Sequence, residues 1–72
     1  MANTNVTSEL NANVWKIEVK LGDQVAEDDI LIILESMKME IPVTAPKAGT
    51  IHSISVNEGD AVTEGQVLVV LG

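Results

Sequence analysis

Short apolar runs separated by turn residues dominate the chain. The longest apolar runs are residues 30–34 and 67–71, and residues 16–20 alternate between polar and apolar, as in a half-buried strand. The composition agrees with strands, because the β-branched residues comprise ten valines, seven isoleucines and five threonines. No window combines apolar residues at helical spacing with a helix cap. The pattern therefore predicts an all-β fold, either a small sandwich or a flattened barrel.

The second half of the chain repeats the first. Residues 6–34 align with residues 43–71 after a shift of 37 positions, and the Gly-Asp pair at 22–23 falls on the pair at 59–60. Matching turn residues are harder to obtain by chance than matching valines. The other identical pairs are Val6/Val43, Thr7/Thr44, Ile17/Ile54, Val19/Val56, Val25/Val62, Glu27/Glu64, Leu31/Leu68 and Leu34/Leu71. We expect two similar β units related by a pseudo-two-fold axis, neither of which can bury its apolar face alone.

The segment between the halves, residues 35–42, is predicted to form a hairpin. Apolar strand residues precede and follow it, which places Met37 and Lys38 at the apex. Neither is favoured in a tight turn, where Asn-Gly or Asp-Gly would be expected, and such a departure points to function. Met37 and Met39 flank Lys38 with adaptable side chains that suit recognition by a partner. From composition alone, a plain surface lysine beside core-filling methionines remains the alternative.

Length and composition limit the classes of function. The chain has 72 residues, a formal charge of −7, one histidine and no cysteine. These counts predict one domain over residues 1–72 without disulfides, a thiol nucleophile, a metal site or a nucleic-acid partner. About 70 residues rarely supply both a core and a catalytic cleft, so we expect no enzyme and no catalytic residues. The apolar runs are far below the ~20 residues that span a bilayer, and we expect a cytoplasmic chain without membrane contact.

The repeat aligns Trp15 with His52. Trp15 is the only aromatic residue, and we expect it to cover one end of the small core. A single histidine on a strand is more often a structural or solvated residue than a ligand, so we assign no function to His52.

The sequence Glu35-Ser36-Met37-Lys38-Met39-Glu40 resembles the attachment motif of the biotinyl/lipoyl attachment domains, in which Met-Lys-Met follows Glu and a small residue. The resemblance covers nearly the whole chain, including the repeat, the Gly-Asp turns and the hairpin. It is strongest to small stand-alone biotinylated proteins of bacteria, of the biotin carboxyl carrier type. Lipoyl domains usually present an Asp-Lys-Ala-like tip, so the resemblance favours biotin.

The resemblance implies a barrel-sandwich hybrid of two four-stranded antiparallel sheets, with the hairpin opposite the termini. It also implies that Lys38 carries covalent biotin, attached by biotin protein ligase. The residues expected to contribute to recognition of the tip are Glu35, Ser36, Met37, Met39 and Glu40. The implied function is transfer of carboxylate between the biotin carboxylase and carboxyltransferase subunits of an acyl-CoA-type carboxylase, with the carrier a monomer.

Two alternatives remain open from the sequence. Lys38 could carry a lipoyl group for acyl transfer in a 2-oxoacid dehydrogenase. The chain could also be an unmodified structural or interaction module that retains only the fold.

Overall fold

Eight antiparallel β-strands form two sheets in the computed structural model, which describes residues 3–72. Sheet I has the strand order β1-β8-β6-β3, and sheet II has the order β5-β4-β2-β7. The strands are β1 (Thr4–Thr7), β2 (Ala12–Ile17), β3 (Gln24–Val25), β4 (Ile30–Ser36), β5 (Met39–Thr44), β6 (Gly49–Ile54), β7 (Ala61–Val62) and β8 (Val67–Leu71). The prediction of an all-β fold with two four-stranded antiparallel sheets is confirmed.

The two sheets remain separate layers, since no strand in residues 3–72 belongs to both. The architecture is therefore a sandwich rather than a closed barrel. No helix in this part of the chain is long and apolar enough to cross a membrane.

The strand positions follow the sequence repeat. Strands β2 and β6 cover residues 12–17 and 49–54, and β3 and β7 cover residues 24–25 and 61–62, each pair at the same shift of 37. Each strand has a counterpart in the other half. Replacing every strand by its counterpart converts the strand order of sheet I, β1-β8-β6-β3, into that of sheet II, β5-β4-β2-β7. Each sheet therefore combines strands from both halves of the chain.

The Gly-Asp turns bind each half to the other. The backbone N–H of Gly22 donates to the carbonyl of Ile51 at 2.9 Å, and that of Gly59 donates to the carbonyl of Val14 at 2.8 Å. Both glycines have a positive φ, of 87° and 93°, which side-chain-bearing residues rarely adopt. The glycines of the repeated pairs are thus explained by backbone geometry at a contact between the halves.

The aspartates of the same pairs close the turns. Asp23 Oδ2 accepts a hydrogen bond from the backbone N–H of Lys20, and Asp60 Oδ2 accepts one from that of Asn57, each at 2.9 Å. A short side-chain acceptor that bonds to nearby backbone is the usual reason for Asp in a turn. The two turns therefore share both their sequence and their hydrogen bonds.

The core lies between the sheets and draws on both halves. Its only buried polar residue within the described range is Ser8, whose hydroxyl donates to the carbonyl of Leu10 at 2.6 Å. The buried hydrophobic residues are Val6, Val14, Leu31, Ile32, Leu34, Ala45, Ile51, Val56, Val62, Leu68, Val69 and Leu71.

Trp15 is not part of this core, and the prediction that it covers one end is wrong. The register between β2 and β4 pairs Val14 with Leu34 and Lys16 with Ile33, so Trp15 is the extra residue of a β-bulge. Val14 is buried, whereas Trp15 is 49% exposed. A bulge redirects the side chain locally, and here it places the indole on the outer face of sheet II.

Replacing Gly65 with alanine should destabilise the fold through its backbone conformation alone. Gly65 has a φ of 85°, and a Cβ added there would meet no atom within 4 Å. We expect Gly65→Ala to lower the free energy of unfolding by about 1–2 kcal/mol, measured by urea denaturation. The matched control is Asp28→Gly, because Asp28 occupies the equivalent position with a φ of 74° and should lose no stability. An unchanged unfolding midpoint for Gly65→Ala would contradict this account.

Candidate functional site

Strands β4 and β5 form a hairpin with a two-residue turn. Ser36 pairs with Met39, which leaves Met37 and Lys38 as the turn residues. Two-residue hairpin turns whose central residues both have positive φ match the right-handed twist of the flanking strands. Met37 has a φ of 52° and Lys38 a φ of 64°, so the turn has this left-handed form without the glycine or asparagine that usually occupies it.

The side chains of the turn point into solvent. Met37 is 89% exposed and Met39 is 59% exposed, and Lys38 is also exposed. Ser36 is half-buried at the end of β4. The alternative in which both methionines fill the edge of the core is therefore wrong, because neither side chain reaches it.

Two carboxylates lie opposite each other behind the turn. Glu35 on β4 pairs directly with Glu40 on β5, and both side chains are exposed. Like charges at directly opposed positions of an antiparallel pair repel and destabilise it. The one ion pair within residues 3–72 joins Lys16 and Glu18 at 3.6 Å, so no cation in this range neutralises the glutamate pair.

The Lys38 amine has no ion-pair partner within the described part of the chain. A shallow groove of about 470 Å³ runs beside the turn, between the hairpin and two segments distant in sequence, residues 11–13 and 61–63. These segments reach the site because β2 lies between β4 and β7, where Asn13 pairs with both Glu35 and Ala61. Sequence reasoning missed both segments, since no local signal marks the pairing of β2 with β7.

The terminal strands occupy the place in sheet I that the hairpin occupies in sheet II. Thr4 pairs with Leu71 in sheet I, and Ile41 pairs with Leu34 in sheet II. The shift of 37 relates Thr4 to Ile41 and Leu34 to Leu71, so the two pairs are equivalent. Strands β1 and β8 are therefore arranged like β5 and β4, but no turn joins them. The chain has a connected tip on one sheet only.

The family and the known proteins that match this chain agree with this architecture. The sequence profile of the family described as biotin-requiring enzyme matches residues 3–71. A biotin/lipoyl attachment protein of Bacillus subtilis (strain 168) is 46% identical over 66 residues, covering 92% of this chain and 90% of that protein. A biotinylated protein TB7.3 homolog of Mycobacterium leprae (strain TN) is 43% identical over 67 residues, covering 93% and 94%.

A similar fold occurs inside a much larger enzyme. The crystal structure of the Kluyveromyces lactis urea carboxylase matches with a TM-score of 0.94 and 33% sequence identity, over 100% of this chain and 6% of that one. The chain belongs to the biotin-requiring enzyme family. It is a carboxyl carrier-type domain homologous to the biotinyl domains of carboxylases, which confirms the sequence prediction at the level of the domain type.

Relieving the backbone conformation at the turn should stabilise the protein. We expect Met37→Asn to raise the free energy of unfolding by about 1 kcal/mol, because asparagine tolerates a positive φ better than methionine does. The comparison variant is Met39→Asn, which lies in β5 outside the turn and should give no such gain. The thermal midpoints of both variants are the measurement. Equal or lower stability of Met37→Asn would show that the turn is not strained at this residue.

Removing one charge of the glutamate pair should also stabilise the hairpin. Glu40→Gln keeps the size of the side chain and ends the repulsion with Glu35, so we expect a gain of about 0.5 kcal/mol in low salt. The gain should shrink as salt is added, because exposed charges are screened. Urea denaturation at two ionic strengths measures both effects. A gain independent of salt would argue against an electrostatic origin.

Proposed function

We propose that Lys38 is the attachment residue and that its amine carries biotin through an amide bond. The observation that carries the proposal is the position of Lys38, exposed in the two-residue turn of the β4–β5 hairpin. The other lysines lack this setting. Lys16 is engaged by Glu18, Lys20 belongs to the turn closed by Asp23, and Lys47 lies in the loop between β5 and β6.

The residues around Lys38 fit an attached group. The turn projects the amine beyond both strands, and the exposed flanks leave room for an acyl chain and for the enzyme that transfers it. In the attachment step, the Lys38 nitrogen forms a bond to the carboxyl carbon of biotin, which the ligase has activated. The ammonium must give up one proton before this attack, because only the neutral amine has a free lone pair, and the nitrogen loses a second proton as the activating group leaves and the amide forms. We assign the base that accepts the first proton to the ligase, because the described part of this chain places no carboxylate within ion-pair distance of the amine.

The carrier contributes position rather than catalysis. When it is attached, biotin supplies a ring that carries a carboxyl group from one active site to the next. A tethered group visits both sites at a high effective concentration, an advantage that a freely diffusing one lacks. The two packed sheets keep the base of the hairpin fixed, and Lys38 adds a flexible arm at its end. No catalytic residue in this domain is required for that role.

The partners follow from the same proposal. Biotin protein ligase would modify Lys38, and biotin carboxylase and carboxyltransferase subunits of an acyl-CoA-type carboxylase would use it. Homologous domains in biotin-dependent carboxylases support carboxylase partners. Glu35, Ser36, Met37, Met39 and Glu40 would contribute to recognition of the tip. A single domain over residues 1–72, a monomeric state and a cytoplasmic location complete the proposal.

Replacing Lys38 should abolish biotin attachment without unfolding the carrier. Lys38→Arg keeps the positive charge but removes the primary amine, so we expect no streptavidin signal and no biotin adduct by intact mass after expression in cells. Lys47→Arg is the control and should be modified like the wild-type chain. A lipoyl adduct on the wild-type chain, or a biotin adduct that persists in Lys38→Arg, would overturn the proposal.

A further inference from the structure

Most strand pairs of the fold join one half of the chain to the other across the hairpin turn. Strand β1 pairs with β8, β3 with β6, β2 with β7 and β4 with β5, and each pair combines a strand before the turn with one after it. Loop residues bond across the same boundary, since the backbone N–H of Ser8 donates to the carbonyl of Gln66 and that of Gly65 donates to the carbonyl of Ser8. A second copy of the chain presents the same partner strands to each half.

The covalent connection between these halves is short and conformationally unfavourable. Met37 and Lys38 both have a positive φ, which raises the free energy of a residue with a side chain relative to an extended conformation. Short hinge turns under strain favour the exchange of identical elements between copies of a protein. With the turn opened, β4 and β5 would become one continuous strand, and residues 3–36 of one copy would fold onto residues 39–72 of the other.

The register of the hairpin suits this opened strand. Ser36 lies opposite Met39 in the last pair before the turn. Two copies that kept this register would place Met37 of each opposite Lys38 of the other, so the ladder would continue through the former turn. The exchange would therefore keep the strand pairs of the monomer and add pairs that a closed turn cannot make.

The opened strand would also place a positive charge beside each glutamate pair. Side chains alternate between the two faces of a strand, so Lys38 would lie on the same face as Glu40 of its own chain. Glu35 of the second copy, opposite this Glu40, would lie diagonally across from Lys38, within reach of a long side chain. In the monomer, no cation within residues 3–72 lies at ion-pair distance from either glutamate. Exchange would relieve a repulsion that the closed turn leaves in place.

We propose that the chain forms a dimer with a second copy of itself by exchanging halves at Met37 and Lys38, and that this dimer holds Lys38 in a continuous ribbon instead of a tip. Closure of the turn within one chain has an effective concentration of about 1 mM, so exchange competes only when chains refold at a comparable concentration. The monomer remains the form with the exposed turn. The consequence for biotin rests on the proposed modification of Lys38: the dimer would withdraw this residue from the ligase.

The first test asks whether a dimer forms by exchange. Asn13 of β2 lies opposite Ala61 of β7, both side chains are exposed, and the chain has no cysteine. Asn13→Cys and Ala61→Cys chains refolded together at about 1 mM should form a disulfide between chains, because opposed strand residues lie within disulfide distance. The product should be a covalent dimer of twice the 7.7 kDa monomer mass that reduction separates. Neither chain refolded alone, nor the two mixed after folding, should give it.

The second test changes the hinge and measures the ratio of dimer to monomer after refolding, by size-exclusion chromatography with light scattering. Met37→Val places a β-branched residue where a positive φ is least tolerated and should raise this ratio at least about threefold. Met37→Asn tolerates the turn and should lower the ratio at least about threefold. Met39→Asn is the control, because Met39 pairs with Ser36 in both forms, and should change the ratio less than about twofold.

A mass of 7.7 kDa alone for both the wild-type chain and Met37→Val, after refolding at about 1 mM, would overturn the exchange. A dimer of the two cysteine variants that lacks the disulfide under oxidising conditions would overturn it as well. The separated wild-type dimer should gain biotin from a purified biotin protein ligase at least about tenfold more slowly than the monomer, because its amine is displaced from the attack geometry of the turn. Equal rates would overturn the withdrawal of Lys38. Failure of the wild-type monomer to gain biotin at Lys38 would instead overturn the proposed function.

Discussion

The fold depends on hydrogen bonds that join the turns of each half to the strands of the other. Gly22 bonds to Ile51 and Gly59 bonds to Val14, so the two β units interlock. The sheets are mixed in the same way, because each contains strands from both halves. A half folded alone would therefore lack both its hydrogen-bonding partners and a second layer for its apolar face. The repeated Gly-Asp pairs form the turns that make these hydrogen bonds between the halves.

The hairpin uses the rigidity that this interlocking supplies. Strand β4 is paired on both sides, by β2 and β5, up to the residues that precede the turn. That support holds Met37 and Lys38 in left-handed conformations that their own preferences do not favour. A conformational cost at the tip is tolerated because long strand pairs and the packed core provide the remaining stability. The same arrangement leaves the lysine in solvent, as the proposed attachment of biotin to Lys38 requires.

Internal symmetry separates what the fold needs from what function adds. Features common to both halves, such as the bulges, the glycines with positive φ and the aspartate acceptors, are structural. Features confined to sheet II are the two-residue turn and the glutamate pair, and both belong to the hairpin that bears Lys38.

The sequence alone determined the all-β class, the repeat and the hairpin apex, because each follows from local periodicity or from turn residues in register. It also drew attention to Met37 and Lys38 at that apex, since their departure from turn preference is visible without coordinates. The exposure of Trp15 was decided by the tertiary structure, because the bulge depends on how β2 pairs with β4. Glu35 and Glu40 lie opposite each other because of the register between β4 and β5. Residues 11–13 and 61–63 approach the tip because strands distant in sequence pair with each other. Such long-range pairing is a property of the whole sheet and leaves no local pattern in the chain.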